Sequence, residues 1–235
     1  MGRLVSRLVD ESDDFELVAS LSSKDPLSDM LAADVVVDVT LPAVSQSVVD
    51  FAVANGLNVL VGTSGWSNDR IISLEHILAD VPGVGVVIVP NFSIGSVLAT
   101  SFAAMAARFY ESIEIIEAHK SSKVDSPSGT AVRTAELIGR SRAAIGPVIA
   151  PHADQRARGQ QVASVPIHSL RLQGVVAKQE VVLGGDGELL RITHETISPS
   201  SYEAGILLAL RTVGTTEGVL VGLDKLLDLF PTPAS

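Results

Sequence analysis

"LNVLVGTSGWSNDRIISLEHILADVPGVGVVIVPNFS", residues 57–93, is the stretch that decides the fold. A Val-rich run (57–65) ends in a glycine turn, a helical pattern with a Ser or Asn cap occupies 67–81, and a second Val-rich run (83–93) ends in Pro-Asn-Phe-Ser. The same unit precedes it. "ADVVVDVTLP" (33–42) reads as a strand stopped by Pro42, and "AVSQSVVDFAVANG" (43–56) as a helix closed by Gly56 in the C′ position. Short β-branched strands joined by helices require a parallel sheet covered on both faces, which is the doubly wound α/β class.

Toward the N-terminus, Leu4, Val5 and Leu8 fall at helical spacing, and "FELVAS" (15–20) has a strand pattern. A doubly wound nucleotide-binding sheet opens with a strand and a glycine-rich turn, whose amides and following helix hold a pyrophosphate. In this sequence the helix comes first. That first strand is missing, and Gly2 corresponds at most to the last glycine of the turn.

Beyond residue 93 the pattern changes. "GSVLATSFAAMAARF" (95–109) and "SGTAVRTAELIGRSRAA" (128–144) read as helices, and "SIEIIEAH" (112–119) as a half-exposed strand. A polar loop over 147–164 precedes three extended runs, "VPIHSLRLQG", "VVAKQEVVLGG" and "GELLRITHETIS", the last two joined by the hairpin signal "GGDG". The second half is therefore expected to be an α+β unit with an open mixed, largely antiparallel sheet. "SYEAGILLALRTVG" (201–214) adds a helix, and "VLVGLDKLLDLF" (219–230) a closing apolar segment.

Composition narrows the function. Lys+Arg 17 against Asp+Glu 27 gives a net charge of −10, which repels a phosphate backbone, so a nucleic-acid partner is not expected. No apolar run approaches the length of a membrane span, and no cysteine is present, so a soluble cytoplasmic protein without disulfides or thiolate metal sites is expected. The remaining histidines, His76, His152, His168 and His194, show no metal-ligand spacing, and no metal site is expected.

Ligands of open α/β sheets lie beyond the carboxyl ends of the strands. Three turns stand there: Thr40-Leu41-Pro42, Gly62-Thr63-Ser64-Gly65 and Pro90-Asn91-Phe92. After "FELVAS" the turn "LSSKD" offers Ser22 and Lys24 to a ribose 2′-phosphate, which permits NADPH, while Asp25 leaves NADH open. In the second half, "EAHKSSKVDSPSGTA" (117–131) places His119, Lys120 and Lys123 ahead of a helix start at Ser128 whose first amides, at Gly129, Thr130 and Ala131, suit a carboxylate. Imidazole and ammonium beside an anion site describe a pocket for an anionic substrate that receives a proton.

The order of "VDVTLP", "VGTSGW", "VPNFSIGSVL", "EIIEAHKSSKVDSPSGTA" and "VPIHSLRLQG" resembles the 4-hydroxy-tetrahydrodipicolinate reductase (dihydrodipicolinate reductase) family over nearly the whole chain. "K-x-D-x-P-S-G-T-A" at 123–131 is its most specific element. The resemblance implies an NAD(P)H-dependent reductase of diaminopimelate and lysine synthesis. It also implies a Rossmann-like dinucleotide domain over 1–92 and 215–235, and a substrate and oligomerisation domain over 93–214 that assembles a homotetramer. By position it implies that Gly62, Thr63, Ser64, Pro90, Asn91 and Phe92 line the nicotinamide side, and that His119 is the acid/base. Lys123 would be the proton donor, and Ser128, Gly129 and Thr130 would hold a substrate carboxylate.

Three departures stand out. Lys120 occupies the place of a second histidine, Lys178 the place of a strand histidine, and Pro199 the place of an arginine. These leave open a second reading, a diverged homologue that binds a dinucleotide or a small dicarboxylate without turning it over.

Overall fold

The computed structural model describes residues 1–227 and residue 229, so residues 228 and 230 of the closing apolar segment, and 231–235 after it, lie outside the described residues. The chain divides into two compact units: Met1–Ser93 together with the chain from Tyr202, and Ile94–Ser201.

In the first unit the Val-rich runs become β1 (Val35–Asp38), β2 (Asn58–Val61) and β3 (Gly85–Ile88). They pair in parallel with β9 (Gly218–Val221) in the order β1-β2-β3-β9. Helix α2 (Pro42–Ala54) starts with its proline at N1, where a missing N–H costs nothing, and α3 (Asn68–Ala79) starts on Ser67, whose hydroxyl accepts the Arg70 amide. Gly56 follows α2 with φ of +76°, the left-handed conformation expected of a C′ glycine. Val49, Ala52 and Val53 of α2, Leu74 of α3 and Val59, Val61 and Val86 of the sheet form one buried core. Helix α1 (Gly2–Asp10) buries Val5, Leu8 and Val9, and its Arg7 pairs with Glu203 at 2.5 Å on α6 (Glu203–Val213).

Two expectations change in this unit. "FELVAS" is not a strand: Leu17 and Val18 are exposed, and the segment has no partner strand among the described residues. Asp14 and Phe15 are held by Arg211 of α6, through a 2.7 Å ion pair and a ring contact, but beyond them the backbone meets no row of donors and acceptors to pair with. Helix α6, expected in the second domain, belongs to the first unit, because its Gly205 lets it pack directly against the Phe92 carbonyl. Helical periodicity marks the buried face of α6 and says nothing about which sheet that face covers.

The second unit is a five-stranded mixed sheet in the order β5-β6-β4-β7-β8. Its strands are β4 (Ser112–Lys120), β5 (Gln160–Val162), β6 (Val165–Leu172), β7 (Ala177–Gly185) and β8 (Glu188–Thr196). β4 and β6 run parallel and the other pairs antiparallel, with Asp186 and Gly187 forming the tight turn between β7 and β8. The short β5 arises inside the expected loop, where it satisfies the outer edge of β6. Inward-facing Ile113 and Ile115 of β4, Ile167 of β6 and Val181 and Leu183 of β7 pack on Ala103 and Ala107, and on Ala131, Ala135 and Ile138 of α5 (Gly129–Ser141). Ala103 belongs to α4 (Ile94–Ala106), and Ala107 opens the short turn that follows it. The small side chains let both helices lie close on one face of the sheet.

Candidate active site

Strand β4 carries the centre of the second unit to its carboxyl end. Successive residues of a strand face opposite sides, so Ile113, Ile115, Glu117 and His119 share the face covered by the helices. Glu117 is fully buried there, among donors from three elements. Arg171 of β6, the register partner of His119, grips it with two hydrogen bonds of 3.0 and 2.9 Å. The Ser128 amide donates to Oε1 at 3.2 Å, and His119 Nδ1 lies 2.6 Å from Oε2. Burial pushes the Glu117 carboxyl up, but hydrogen bonds from Arg171, Ser169 and His119 outweigh it and hold the group below the usual glutamate range. Because its folded value is depressed, Glu117 stabilises the unit above the ordinary glutamate pKa, and that contribution is lost as pH falls through the lowered value. Thermal melts between neutral pH and pH ~3 are expected to show less acid destabilisation in Glu117→Gln than in the unaltered protein; equal acid sensitivity in both would contradict this.

Beyond β4, the loop turns on a hydrogen bond from the Lys123 amide to the Lys120 carbonyl. The Lys123 ammonium pairs with Asp125 at 2.7 Å and remains partly exposed. That hydrogen bond holds the Asp125 carboxyl below its ordinary value against partial burial. Arg171 also donates to the Asp125 carbonyl at 2.6 Å, so one guanidinium touches both the histidine's carboxylate and the lysine's loop. Helix α5 then begins at Gly129, where nothing stands within 4 Å of the position a Cβ would occupy. An anion can therefore approach the first turn closely.

The sequence-predicted residues separate here. His119, Lys123, Gly129 and Thr130 lie within one short run around the end of β4 and the start of α5. Ser128 is committed to the protein: its hydroxyl accepts the Ala131 amide at 3.2 Å, and the residue is buried. Lys120 is exposed and, by the alternation of β4, belongs to the face opposite His119. His168 pairs with Glu114 at 2.7 Å. His194 lies against Gly95, and burial pushes its imidazole down. Glu117, Arg171 and Asp125 were not singled out in the sequence. The i, i+2 spacing of Glu117 and His119 on a strand was the one available signal, because Arg171 reaches them only through the β4–β6 register.

In the first unit, the three predicted turns stand side by side at the carboxyl edge of β1, β2 and β3 and are tied to one another. The Gly62 amide and the Thr63 hydroxyl both donate to the Asp38 carbonyl, at 2.8 and 3.3 Å. A Cβ on Gly62 would stand 2.6 Å from the Phe92 ring, so this glycine makes room for the third turn. The Asp38 carboxylate, also fully buried, accepts the Thr40 amide at 3.1 Å and the hydroxyls of Thr40 and Ser45, and Ser45 in turn accepts Trp66 Nε1 at 2.9 Å. Thr63 and Phe92 are buried and shape the edge, whereas Ser64 and Pro90 are exposed on it and Asn91 is partly so. Asn91 Oδ1 accepts the Ser93 amide at 2.9 Å.

Around 22–25 the turn closes on itself. Asp25 accepts both the Ser22 amide and its hydroxyl at 2.8 Å, leaving Lys24 as the exposed cation. Gly2 opens α1 with nothing within 4 Å of its Cβ position. A braced row of turns at the carboxyl edge of parallel strands, with an open helix start in the same unit, fits a dinucleotide. Among the described residues, no cluster of His, Cys, Asp and Glu could hold a metal ion, and no helix is long and apolar enough to cross a membrane.

Comparison with known proteins matches both units to one family. The model for the N-terminus of dihydrodipicolinate reductase matches residues 1–92, and that for the C-terminus matches 95–227. The 4-hydroxy-tetrahydrodipicolinate reductase of Clavibacter michiganensis subsp. michiganensis is 70% identical over 229 residues, which cover 97% of this chain and 83% of that protein. The reductase of the same name from Streptomyces griseus subsp. griseus is 46% identical, over 97% of this chain and 94% of its own. Among solved structures, a dipicolinate-bound dihydrodipicolinate reductase from Paenisporosarcina sp. TG-14 superimposes with a TM-score of 0.82 at 28% identity, covering 96% of this chain and 95% of that one. Two braced units, one suited to a dinucleotide and one to an anion that takes up a proton, together with this likeness along their whole length, place the chain in the dihydrodipicolinate reductase family.

Proposed function

We propose that the family's reaction, reduction of 4-hydroxy-tetrahydrodipicolinate to tetrahydrodipicolinate with NADPH or NADH in diaminopimelate and lysine synthesis, is carried out in this chain with His119 and Lys123 handling the proton. The observation that carries the assignment is the linked set at the end of β4, in which His119 is oriented by a buried carboxylate and Lys123 is fixed by Asp125. A reduced nicotinamide, when bound, supplies the hydride. The rest falls to side chains and amides of the second unit.

The 4-hydroxyl leaves as water to give the conjugated imine, and Lys123, paired with Asp125, gives its proton to the substrate atom that gains negative character as hydride adds to that system. His119 stabilises that charge through Nε2, the ring nitrogen that Glu117 does not occupy. The first turn of α5 at Gly129 and Thr130 receives a substrate carboxylate on amides at the positive end of a helix of 13 residues. An anionic substrate matches the Lys123 ammonium and the helix start. This intact set also disfavours a homologue that binds without turnover.

The purified chain, supplied with the product of the preceding synthase, is expected to oxidise NADPH or NADH. Folded protein that binds the nucleotide and oxidises neither would overturn the reading. In the same assay Gly129→Ala puts a methyl group into the open space over the helix start, where nothing stands within 4 Å of the Cβ position. Its KM is expected to rise roughly tenfold or more, the loss of about one charge-assisted hydrogen bond, with a smaller change in kcat. An unchanged KM would place the carboxylate elsewhere.

The second unit's sheet has helices on one face only, and Leu170, Leu172 and Leu189 are exposed. This surface supports association of copies into a homotetramer, with the small dicarboxylate as the other partner. The absence of cysteine supports a reducing, cytoplasmic setting.

A further inference from the structure

Beyond its contact with His119, Glu117 takes no part in the chemistry above, and its ion pair with Arg171 takes none. A buried pair of this kind is retained at a cost, since desolvation of the two charges consumes much of their attraction. Two apolar residues would fill the same space, and the neighbouring inward positions Ile115 and Ile167 are filled that way. What distinguishes this pair is where its spare hydrogen bonds go. Glu117 Oε2 meets His119 Nδ1, and the second Arg171 nitrogen meets the carbonyl of Asp125, whose carboxylate holds Lys123. Both side chains assigned to the proton are thus tied to one guanidinium–carboxylate unit.

We propose that Glu117 and Arg171 are positioning residues for the reaction: Glu117 sets the tautomer and direction of the His119 ring, and Arg171 sets the separation of that ring from Lys123. The inference rests on the assignment of His119 and Lys123 above. An ionised carboxylate can only accept, so Nδ1 of His119 carries a proton and Nε2 is left to face the substrate. The direction of the Glu117 shift agrees with an ionised carboxylate. The charged groups around the ring are Glu117 on its own strand, Arg171 on β6, and Lys123 and Asp125 on the loop, while β7 contributes Ala177 at this register. Arg171 bridges two acceptors with a rigid fork, which an ammonium cannot reproduce.

The test is a double-mutant cycle on the full chain, with kcat, KM and the pH profile of kcat measured for each variant. Glu117→Gln keeps the shape but offers an amide that can donate to Nδ1 and favour the wrong tautomer. Its kcat is expected to fall roughly 10²-fold with a shifted pH profile and little change in KM, as when a carboxylate behind a catalytic histidine becomes an amide. In a His119→Ala background the same change is expected to have almost no further effect on kcat, because its target is gone. A purely structural Glu117 would instead lower activity by the same factor in both backgrounds, and that additivity would overturn the proposal.

Arg171→Lys, checked for a cooperative melt, is expected to lower kcat by roughly tenfold with the charge retained. Full kcat and an unchanged pH profile in both Glu117→Gln and Arg171→Lys would also overturn the proposal. A His119→Ala protein with undiminished kcat would overturn the underlying assignment, whereas a slow His119→Ala beside a normal Glu117→Gln removes only the positioning role.

Discussion

Replacing Lys123 by alanine is expected to lower kcat by roughly 10²–10⁴-fold, the range for loss of a positioned proton donor. The ammonium sits at the end of a loop tethered at both ends, by its own amide on the Lys120 carbonyl and by its side chain on Asp125 at 2.7 Å. Because the ion pair is partly exposed, its contribution to stability is small, about 1 kcal/mol or less, so the variant is expected to fold normally. Lys123→Arg separates two roles of the side chain. A guanidinium restores the positive charge but does not give up a proton near neutrality. Its KM is expected to return toward that of the unaltered protein while kcat stays low. Recovery of kcat in Lys123→Arg would show that charge alone is needed, and the proton donor would have to be sought elsewhere.

Gly205→Ala is expected to be the most damaging single methyl group in the first unit. A Cβ there would stand 1.9 Å from the Phe92 carbonyl oxygen and 2.9 Å from its carbon, and both are backbone atoms that no rotamer change can move. Relief requires α6 to shift away from the turn after β3, which also carries the Phe92 ring packed over Gly62. The cost is expected at or above the upper end for an overpacked core, about 3 kcal/mol, and to lower the Tm by roughly 6–12 °C for a chain of this size. Gly214, which ends α6 with helical angles and nothing within 4 Å of its Cβ position, is the control. Gly214→Ala is expected to alter stability by no more than about 0.5–1 kcal/mol, in either direction. Equal Tm values for the two variants would show that α6 does not rest on the Phe92 carbonyl.

The resemblance and the periodic pattern agreed on the class, and the reasons differ element by element. β1, β2 and β3 were legible because short β-branched runs such as "VVVD" and "NVLV", separated by helical patterns, suit strands of a covered parallel sheet, although β1 at the edge buries only alternate residues. α3 and α5 were legible because Ser67 and Ser128 cap them with their own hydroxyls, an interaction contained within four residues. "FELVAS" misled because a strand exists only with a partner, and its β-forming side chains report willingness to pair, not the presence of a neighbour. α6 was recognised as a helix but assigned to the wrong unit, since the destination of a buried face is a long-range property.

At the site, the amino-acid sequence by itself determined the continuous run from His119 to Thr130 that is proposed to act on the substrate, because strand end, loop and helix start follow one another along the chain. Only the tertiary structure decided which of those groups are free to act. It committed Ser128 to capping and to Glu117, turned Lys120 to the other face, and brought Arg171 from a distant strand, 54 residues beyond Glu117 and 46 beyond Asp125, onto both Glu117 and the Lys123 loop. The physical reason is that burying a charge demands a counter-charge and a full set of hydrogen bonds. Those partners come from whichever strand the sheet register places alongside, and no local pattern encodes that register.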